Sequence, residues 1–254
     1  MASDTLPDLT LYRIDGACSL VAHMALHELA IPFTAVRMVV DPATHKAEAA
    51  DGSFSGDDYR REINPSGQVP ALKVEYESDP SVEPVVITET PAILMYVADL
   101  GVISSKGTKY LAGKTPLERA QVASWLAFLS GPLHGQAFGP LSFPQRFLEG
   151  IGSRYADAAE KAVMAAGKKK VDLLYQRIED RLPVVDADKG EEGWAVGGKL
   201  SVVDFNLYLF YVWGMKMGIK MGELYPKWVA LAKRLECRGP VKTVVWLERI
   251  GAVW

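Results

Sequence analysis

Apolar positions recur along this chain with two periods, and the change from one to the other divides it. Leu9 to Ile14 is a short apolar run that reads as a strand. Val21, Ala22, Ala25, Leu26 and Leu29 then share one stripe at helical spacing, which Pro32 stops. Phe33 to Val40 reads as a second strand. Residues 41–58 are polar and rich in Ala, Asp, Gly and Ser, which predicts a long loop with room for one short helix. Gln68 to Tyr76 and Val82 to Thr88 predict two more strands, with Glu77-Ser78-Asp79-Pro80 as the hairpin turn between them. Glu89 to Leu100 is helical again, and its pattern predicts an end before Gly101.

The order is β-α-β followed by β-β-α. That is the arrangement of a thioredoxin-like domain, a four-stranded mixed sheet with helices on both faces. Gly101, Gly107 and Gly113 punctuate a stretch, 101–114, that has little apolar periodicity and predicts the linker. The expected domains are 1–102 and an all-helical 113–254, so the fold class is α/β plus all-α. In the second domain Leu117 to Leu129 is amphipathic, and Val163, Val171, Leu174, Ile178 and Leu182 form a long stripe. Ser201-Val202-Val203-Asp204 reads as a capping box. The helix it opens, Phe205 to Trp213, is apolar on nearly every face and should therefore be the buried centre of a helical bundle. Trp228, Leu231, Ala232 and Leu235 mark another helix, and Pro240 opens the last.

Charge narrows the function. Lys plus Arg number 28 and Asp plus Glu 31 in 254 residues, a formal net charge of −3. That gives no general attraction to phosphate backbones or anionic lipid, so no nucleic-acid or membrane partner is expected. Lys168-Lys169-Lys170 lacks interleaved aromatics and reads as a solvated helix face. Phe205 to Trp213 is too short to span a bilayer. Met1-Ala2-Ser3-Asp4 does not begin a secretory signal pattern. Cys18 and Cys237 cannot make a disulfide framework, and no Cys/His group has zinc-like spacing, so no metal is expected. The expectation is a reduced, intracellular, soluble protein.

Several segments could carry chemistry. Gly16-Ala17-Cys18-Ser19 lies between the first strand and the first helix, which puts Cys18 near a helix N-terminus. Unpaired N–H groups and the helix dipole there favour a thiolate, so a depressed pKa is expected; the plain alternative is a small side chain packed in a turn. Val69-Pro70 opens a strand after Asn64-Pro65-Ser66-Gly67-Gln68. A cis bond would turn the Val69 backbone outward toward an extended peptide ligand, whereas a trans bond would make it an ordinary turn. In Thr88-Glu89-Thr90-Pro91, Pro91 suits the first helical position and Thr90 the N-cap. Such a start can hold a ligand carboxylate, with Glu89 on an ammonium, or can be capping alone. His134 follows Gly131-Pro132 at the expected end of a helix; taken alone it reads, like His23, His27 and His45, as structural or exposed.

Taken in order, these segments resemble a glutathione transferase over nearly the whole chain. The resemblance is carried by Gly16-Ala17-Cys18-Ser19-Leu20-x-x-His23, Asn64-Pro65-x-Gly67-Gln68-Val69-Pro70-Ala71-Leu72, Thr88-Glu89-Thr90-x-Ala92-Ile93 and Gly197-x-x-x-Ser201-x-x-Asp204. Gly-Ala-Cys-Ser-Leu and the region Trp125 to His134 are similar to the beta class, which carries a cysteine where other classes place Tyr or Ser. The resemblance implies a glutathione-binding thioredoxin-like domain, a helical domain shaping a hydrophobic-electrophile site, and a cytoplasmic homodimer serving detoxification. It implies Glu89 and Thr90 on the γ-glutamyl group, Val69 before a cis Pro70 on the cysteinyl backbone, Cys18 and Ser19 at the sulfur, and His134 approaching from the helical domain. Gly135 stands where the class commonly has Lys, and Arg13 where it often has Tyr. Three activities follow: conjugation, with Cys18, Ser19 or Tyr12 activating glutathione; one-cysteine thiol transfer through Cys18; or ligand binding without turnover.

Overall fold

In the computed structural model, the structure describes residues 6–76, 81–150, 156–185 and 192–250. Strand β1 (Asp8–Arg13) leads to helix α1 (Ser19–Leu29) and strand β2 (Thr34–Val40). Strand β3 (Ala47–Ala49) and helix α2 (Gly56–Glu62) come next, then β4 (Ala71–Glu75), β5 (Val85–Thr88) and helix α3 (Thr90–Ser104). The sheet order is β3-β2-β1-β4-β5, with β1 parallel to β2 and the other neighbours antiparallel.

The sheet thus has five strands rather than the expected four. β3 reads Ala-Glu-Ala, too short and too weak in β-propensity to be seen alone, and it exists by pairing with Met38–Val40 of β2. α2 begins inside the expected loop, where the Ser55 hydroxyl accepts from the Asp58 N–H at 3.2 Å. The predicted hairpin turn Glu77–Pro80 lies outside the described residues. α3 does not stop before Gly101 but runs through it to Ser104. A Cβ on Gly101 would come within 2.5 Å of Leu29 Cδ2, so this glycine allows α1 and α3 to approach closely and does not end the helix.

The remainder is helical. α4 (Pro116–Phe128) passes into a π-helical segment, Leu129–Phe138, followed by α5 (Gly139–Ser142) and a 3₁₀ turn, Pro144–Phe147. Then come α6 (Ala156–Arg181), α7 (Val202–Lys216), α8 (Met221–Leu224), α9 (Pro226–Glu236) and α10 (Gly239–Leu247). As its sequence predicts, α7 is buried on nearly every face. Each large apolar side chain removed from water there contributes ~1.5–3 kcal/mol. One apolar core joins β1, α1 and α3 to α4, α6, α7, α9 and α10. A smaller cluster on the other side of the sheet, under α2, holds Tyr12, Met38, Tyr59 and Ile63.

The capping box at α7 closes mainly through Asp204. Its Oδ2 accepts from the Ser201 N–H at 2.7 Å and the Ser201 hydroxyl at 2.9 Å, and its Oδ1 from the Ala195 N–H at 2.9 Å. Burial pushes this carboxyl up to about 6, against the donors that pull it down. Asp204→Ala leaves those buried donors unpaired and should cost ~2–3 kcal/mol, read as a lower urea midpoint. Because the folded-state pKa of about 6 lies above the unfolded value of ~3.9, the native state binds the extra proton between these values. The stability of the parent relative to Asp204→Asn should therefore grow as pH falls from about 6 toward ~4. An unchanged difference would remove this carboxyl from the linkage.

Candidate active site

The β1–α1 corner is closed by Ser19. Its hydroxyl donates to the Ile14 carbonyl at 3.0 Å and accepts from the Ile14 N–H at 3.1 Å. The side chain is fully buried in that exchange, so the structure does not bring Ser19 to the reacting position expected of it. Gly16 precedes it at φ +68°, a conformation glycine adopts without strain. The Gly16 N–H donates to Glu248 Oε2 at 2.8 Å, and its carbonyl accepts from the Trp213 indole N–H at 3.0 Å. The second Glu248 oxygen lies 2.7 Å from His23 Nδ1, with both side chains buried. The turn carrying Cys18 is therefore tied to α7 and to the chain just beyond α10.

Cys18 occupies the N-cap place of α1, half-buried, with Sγ 3.4 Å from His134 Nε2. His134 does not end a helix. Pro132 lacks the N–H that an α-helical bond would need, and the chain continues past it as π-helix, which sets His134 toward Cys18. The imidazole packs against Trp213 and Phe210, ring centroids 5.6 and 6.4 Å away. Burial holds its pKa below the ordinary value; the Glu89 carboxylate opposes that shift and Arg146 adds to it. His134 is thus neutral at neutral pH.

The expected depression of the Cys18 pKa is reversed. Burial pushes the thiol up to about 12, a backbone hydrogen bond lowers it, and the Glu89 carboxylate raises it further. A charge at a helix terminus is worth ~0.3–1 kcal/mol, whereas full burial shifts a group by up to ~3–5 pKa units. Desolvation wins, and Cys18 at neutral pH is a thiol with a proton to donate.

Glu89 stands at the start of α3 with φ +68° and ψ 117°, not Thr90 as expected: the helix begins at Thr90, and no side chain caps it. A non-glycine residue in this region carries ~1–3 kcal/mol of strain, a cost concentrated at functional sites. Ala71 pairs with Tyr12 on one side and Thr88 on the other. That register gathers three junctions at one end of the sheet: β1–α1 with Cys18, β5–α3 with Glu89 and Thr90, and Val69-Pro70 before β4. The Val69–Pro70 bond is cis. Asn64 Nδ2 and the Tyr59 hydroxyl both donate to the Gln68 carbonyl at 2.8 Å and so fix its approach. The Tyr12 backbone reaches this end, but its ring belongs to the smaller cluster under α2. Its ring packs with Tyr59 and Phe54, centroids 5.5 and 6.1 Å away, and desolvation raises its pKa further from ionisation.

Sequence reasoning missed Trp213 and Glu248. Trp213 sits at core spacing, and its indole bond to Gly16 has no sequence signature. Glu248, a single acid directly after the apolar Val244-Val245-Trp246-Leu247, was the available signal.

The family described as glutathione S-transferase, N-terminal domain, matches residues 16–100, and its C-terminal domain counterpart matches residues 132–238. The chain is 30% identical over 216 residues, 85% of its own length and 87% of the relative's, to glutathione S-transferase GST-4.5 of Xanthomonas campestris. Among solved structures it resembles a bacterial beta class glutathione S-transferase of Sphingomonas chungbukensis, with 31% identity, a TM-score of 0.67, and coverage of 95% of this chain and 100% of that one. It also resembles a sphingomonad glutathione S-transferase complexed with glutathione, with 30% identity, a TM-score of 0.65 and the same coverage.

Two outcomes are expected. Glu248→Ala removes the buried partner of His23 and Gly16 and should cost ~3–5 kcal/mol, measured by urea unfolding; a loss below ~1 kcal/mol would contradict the tie. In alkylation by iodoacetamide, exposed Cys237 should react before Cys18, and the Cys18 rate should still be climbing in strong alkali. A Cys18 rate that levels off near neutral pH would contradict the buried thiol.

Proposed function

The chain belongs to the glutathione S-transferase family, and on that premise we propose that it activates the glutathione thiol for attack on a hydrophobic electrophile where Cys18 meets His134. The observation that carries this reading is the 3.4 Å contact between Cys18 Sγ and His134 Nε2. It spans the two parts that the reading assigns to glutathione, residues 1–102, and to the co-substrate, residues 113–254. Glu89 receives the γ-glutamyl ammonium, and the α3 N-terminus at Thr90 receives its carboxylate. The Val69 backbone, before cis Pro70, pairs with the cysteinyl residue of glutathione. The reading extends to a beta-class cytoplasmic homodimer working in detoxification, supported by the Gly-Ala-Cys-Ser-Leu motif and the likeness to the Sphingomonas enzyme.

The chemistry follows from neutral groups. A free thiol has pKa ~8.5, so only a few per cent is thiolate at neutral pH. The Cys18 S–H donates to the glutathione sulfur and stabilises its negative charge, while neutral His134 holds Cys18 in place. A depression of two units in the glutathione pKa corresponds to ~2.7 kcal/mol of preference for the anion. The thiol proton leaves to solvent. The thiolate forms a bond to the electrophilic carbon, and the leaving group departs with its bonding pair.

Thiol transfer is the second reading, favoured by the same Cys–His contact. It requires Cys18 as thiolate, which a pKa of about 12 disfavours, so conjugation is preferred. Cys18→Ser distinguishes the two: conjugation that persists while reduction of glutathione mixed disulfides is lost assigns the steps to different sulfurs. For the binding site itself, Glu89→Gln should weaken glutathione binding by about tenfold or more in titration calorimetry while the melting curve stays in place. Unchanged affinity would remove Glu89 from the site, and no turnover of any electrophile despite binding would leave a ligand-binding protein.

A further inference from the structure

The chain beyond His134 carries an aromatic, cationic segment that packs on the coil holding His134. The Gly139 N–H donates to the His134 carbonyl at the end of the π-helical segment. A methyl group placed on Gly139 would meet Phe147 Cζ at 3.5 Å and the His134 carbonyl at 3.7 Å, so the Phe147 ring rests on the coil that carries His134. Phe147 is nevertheless 49% exposed and Phe143 48%. Between them in sequence, Arg146 places its guanidinium carbon 4.2 Å from the Phe143 ring centre. None of the ion pairs among the described residues involves Arg146. Its charge is felt at His134, whose pKa it lowers.

Stacking covers one face of a guanidinium and leaves its edge N–H groups open. Those edge donors match a planar oxyanion in fork geometry, and the stack has already restricted the side chain. Two exposed phenyl rings beside such a cation offer a flat apolar surface to the body of the same ligand. Glu89, the nearby opposite charge, is assigned to the glutathione ammonium. Resting on the transferase reading above, we infer that the co-substrate end of the site selects aryl electrophiles bearing a carboxylate or sulfonate, the anion meeting Arg146 and the ring lying on Phe143 and Phe147.

A matched pair of electrophiles tests this, 4-(chloromethyl)benzoate and its neutral amide 4-(chloromethyl)benzamide. In each the glutathione sulfur bonds to the benzylic carbon, chloride leaves with the bonding pair, and the thiol proton goes to buffer. The ratio of kcat/KM for carboxylate over amide should exceed one and fall as salt is added. Arg146→Gln should reduce that ratio by about fivefold to tenfold, and Arg146→Lys should restore part of it. A ratio at or below one in the parent protein, or a ratio unmoved by Arg146→Gln, overturns the inference. Titration calorimetry with S-(4-carboxybenzyl)glutathione and S-(4-carbamoylbenzyl)glutathione separates the two levels. If neither conjugate binds, the glutathione reading fails; if both bind equally in the parent and in Arg146→Gln, the charge selection alone fails.

Discussion

Helix α1 is buried from both sides, and the site depends on that burial. Its sequence, Ser-Leu-Val-Ala-His-Met-Ala-Leu-His-Glu-Leu, leaves almost no face for water. α3 covers it from within the sheet-bearing half, and α7 and α10 cover it from the helical half. Gly101 lets α3 come into contact with Leu29, and His23, the polar residue in the middle of the buried surface, is satisfied by Glu248. A helix held this way cannot slide or tilt without opening the core. The first residue before it, Cys18, is consequently fixed against a histidine that comes from a segment more than a hundred residues away.

The same burial sets the chemistry. Both members of the contact are pushed toward their uncharged forms, the thiol upward and the imidazole downward. A pair that would be an ion pair in a more polar setting becomes a pair of neutral hydrogen-bonding groups. The charges nearby are at the periphery, Glu89 on the sheet side and Arg146 on the helical side. The site is therefore a neutral, partly desolvated centre at which the charges of Glu89 and Arg146 are felt. On the proposed reading such a centre serves the glutathione sulfur through the proton of Cys18, while Glu89 and the α3 N-terminus take the ligand's terminal charges.

Elements with a long apolar period were legible in the sequence: α1, the stripe of α6, and α7 with its Ser201–Asp204 box. Elements that exist through a partner were not. β3 is three residues that become a strand only beside β2, and the π-helical segment reads as a helix end because Pro132 follows Gly131. The motifs Cys18, Val69-Pro70, Glu89-Thr90 and His134 were found as motifs, and the sheet register then places the first three at one end. What local sequence could not supply was the weight of desolvation. The helix terminus argued for an acidic Cys18, and the depth that overrides it comes from residues distant in the chain. The role of Glu248 is hidden for the same reason: its partners, Gly16 and His23, lie more than two hundred residues earlier.

On the proposed function the thiolate in this site belongs to glutathione and not to Cys18. Ultraviolet thiolate absorbance, titrated with pH in the protein alone and in its glutathione complex, measures this directly. Cys237 is first replaced by serine so that Cys18 is the protein's sole thiol. Without ligand no thiolate should appear near neutral pH, since burial pushes Cys18 up to about 12. With glutathione bound, one thiolate per site should form with a midpoint below the ~8.5 of a free thiol. A thiolate titrating near neutral pH in the protein alone, or none gained on binding glutathione, would contradict the account.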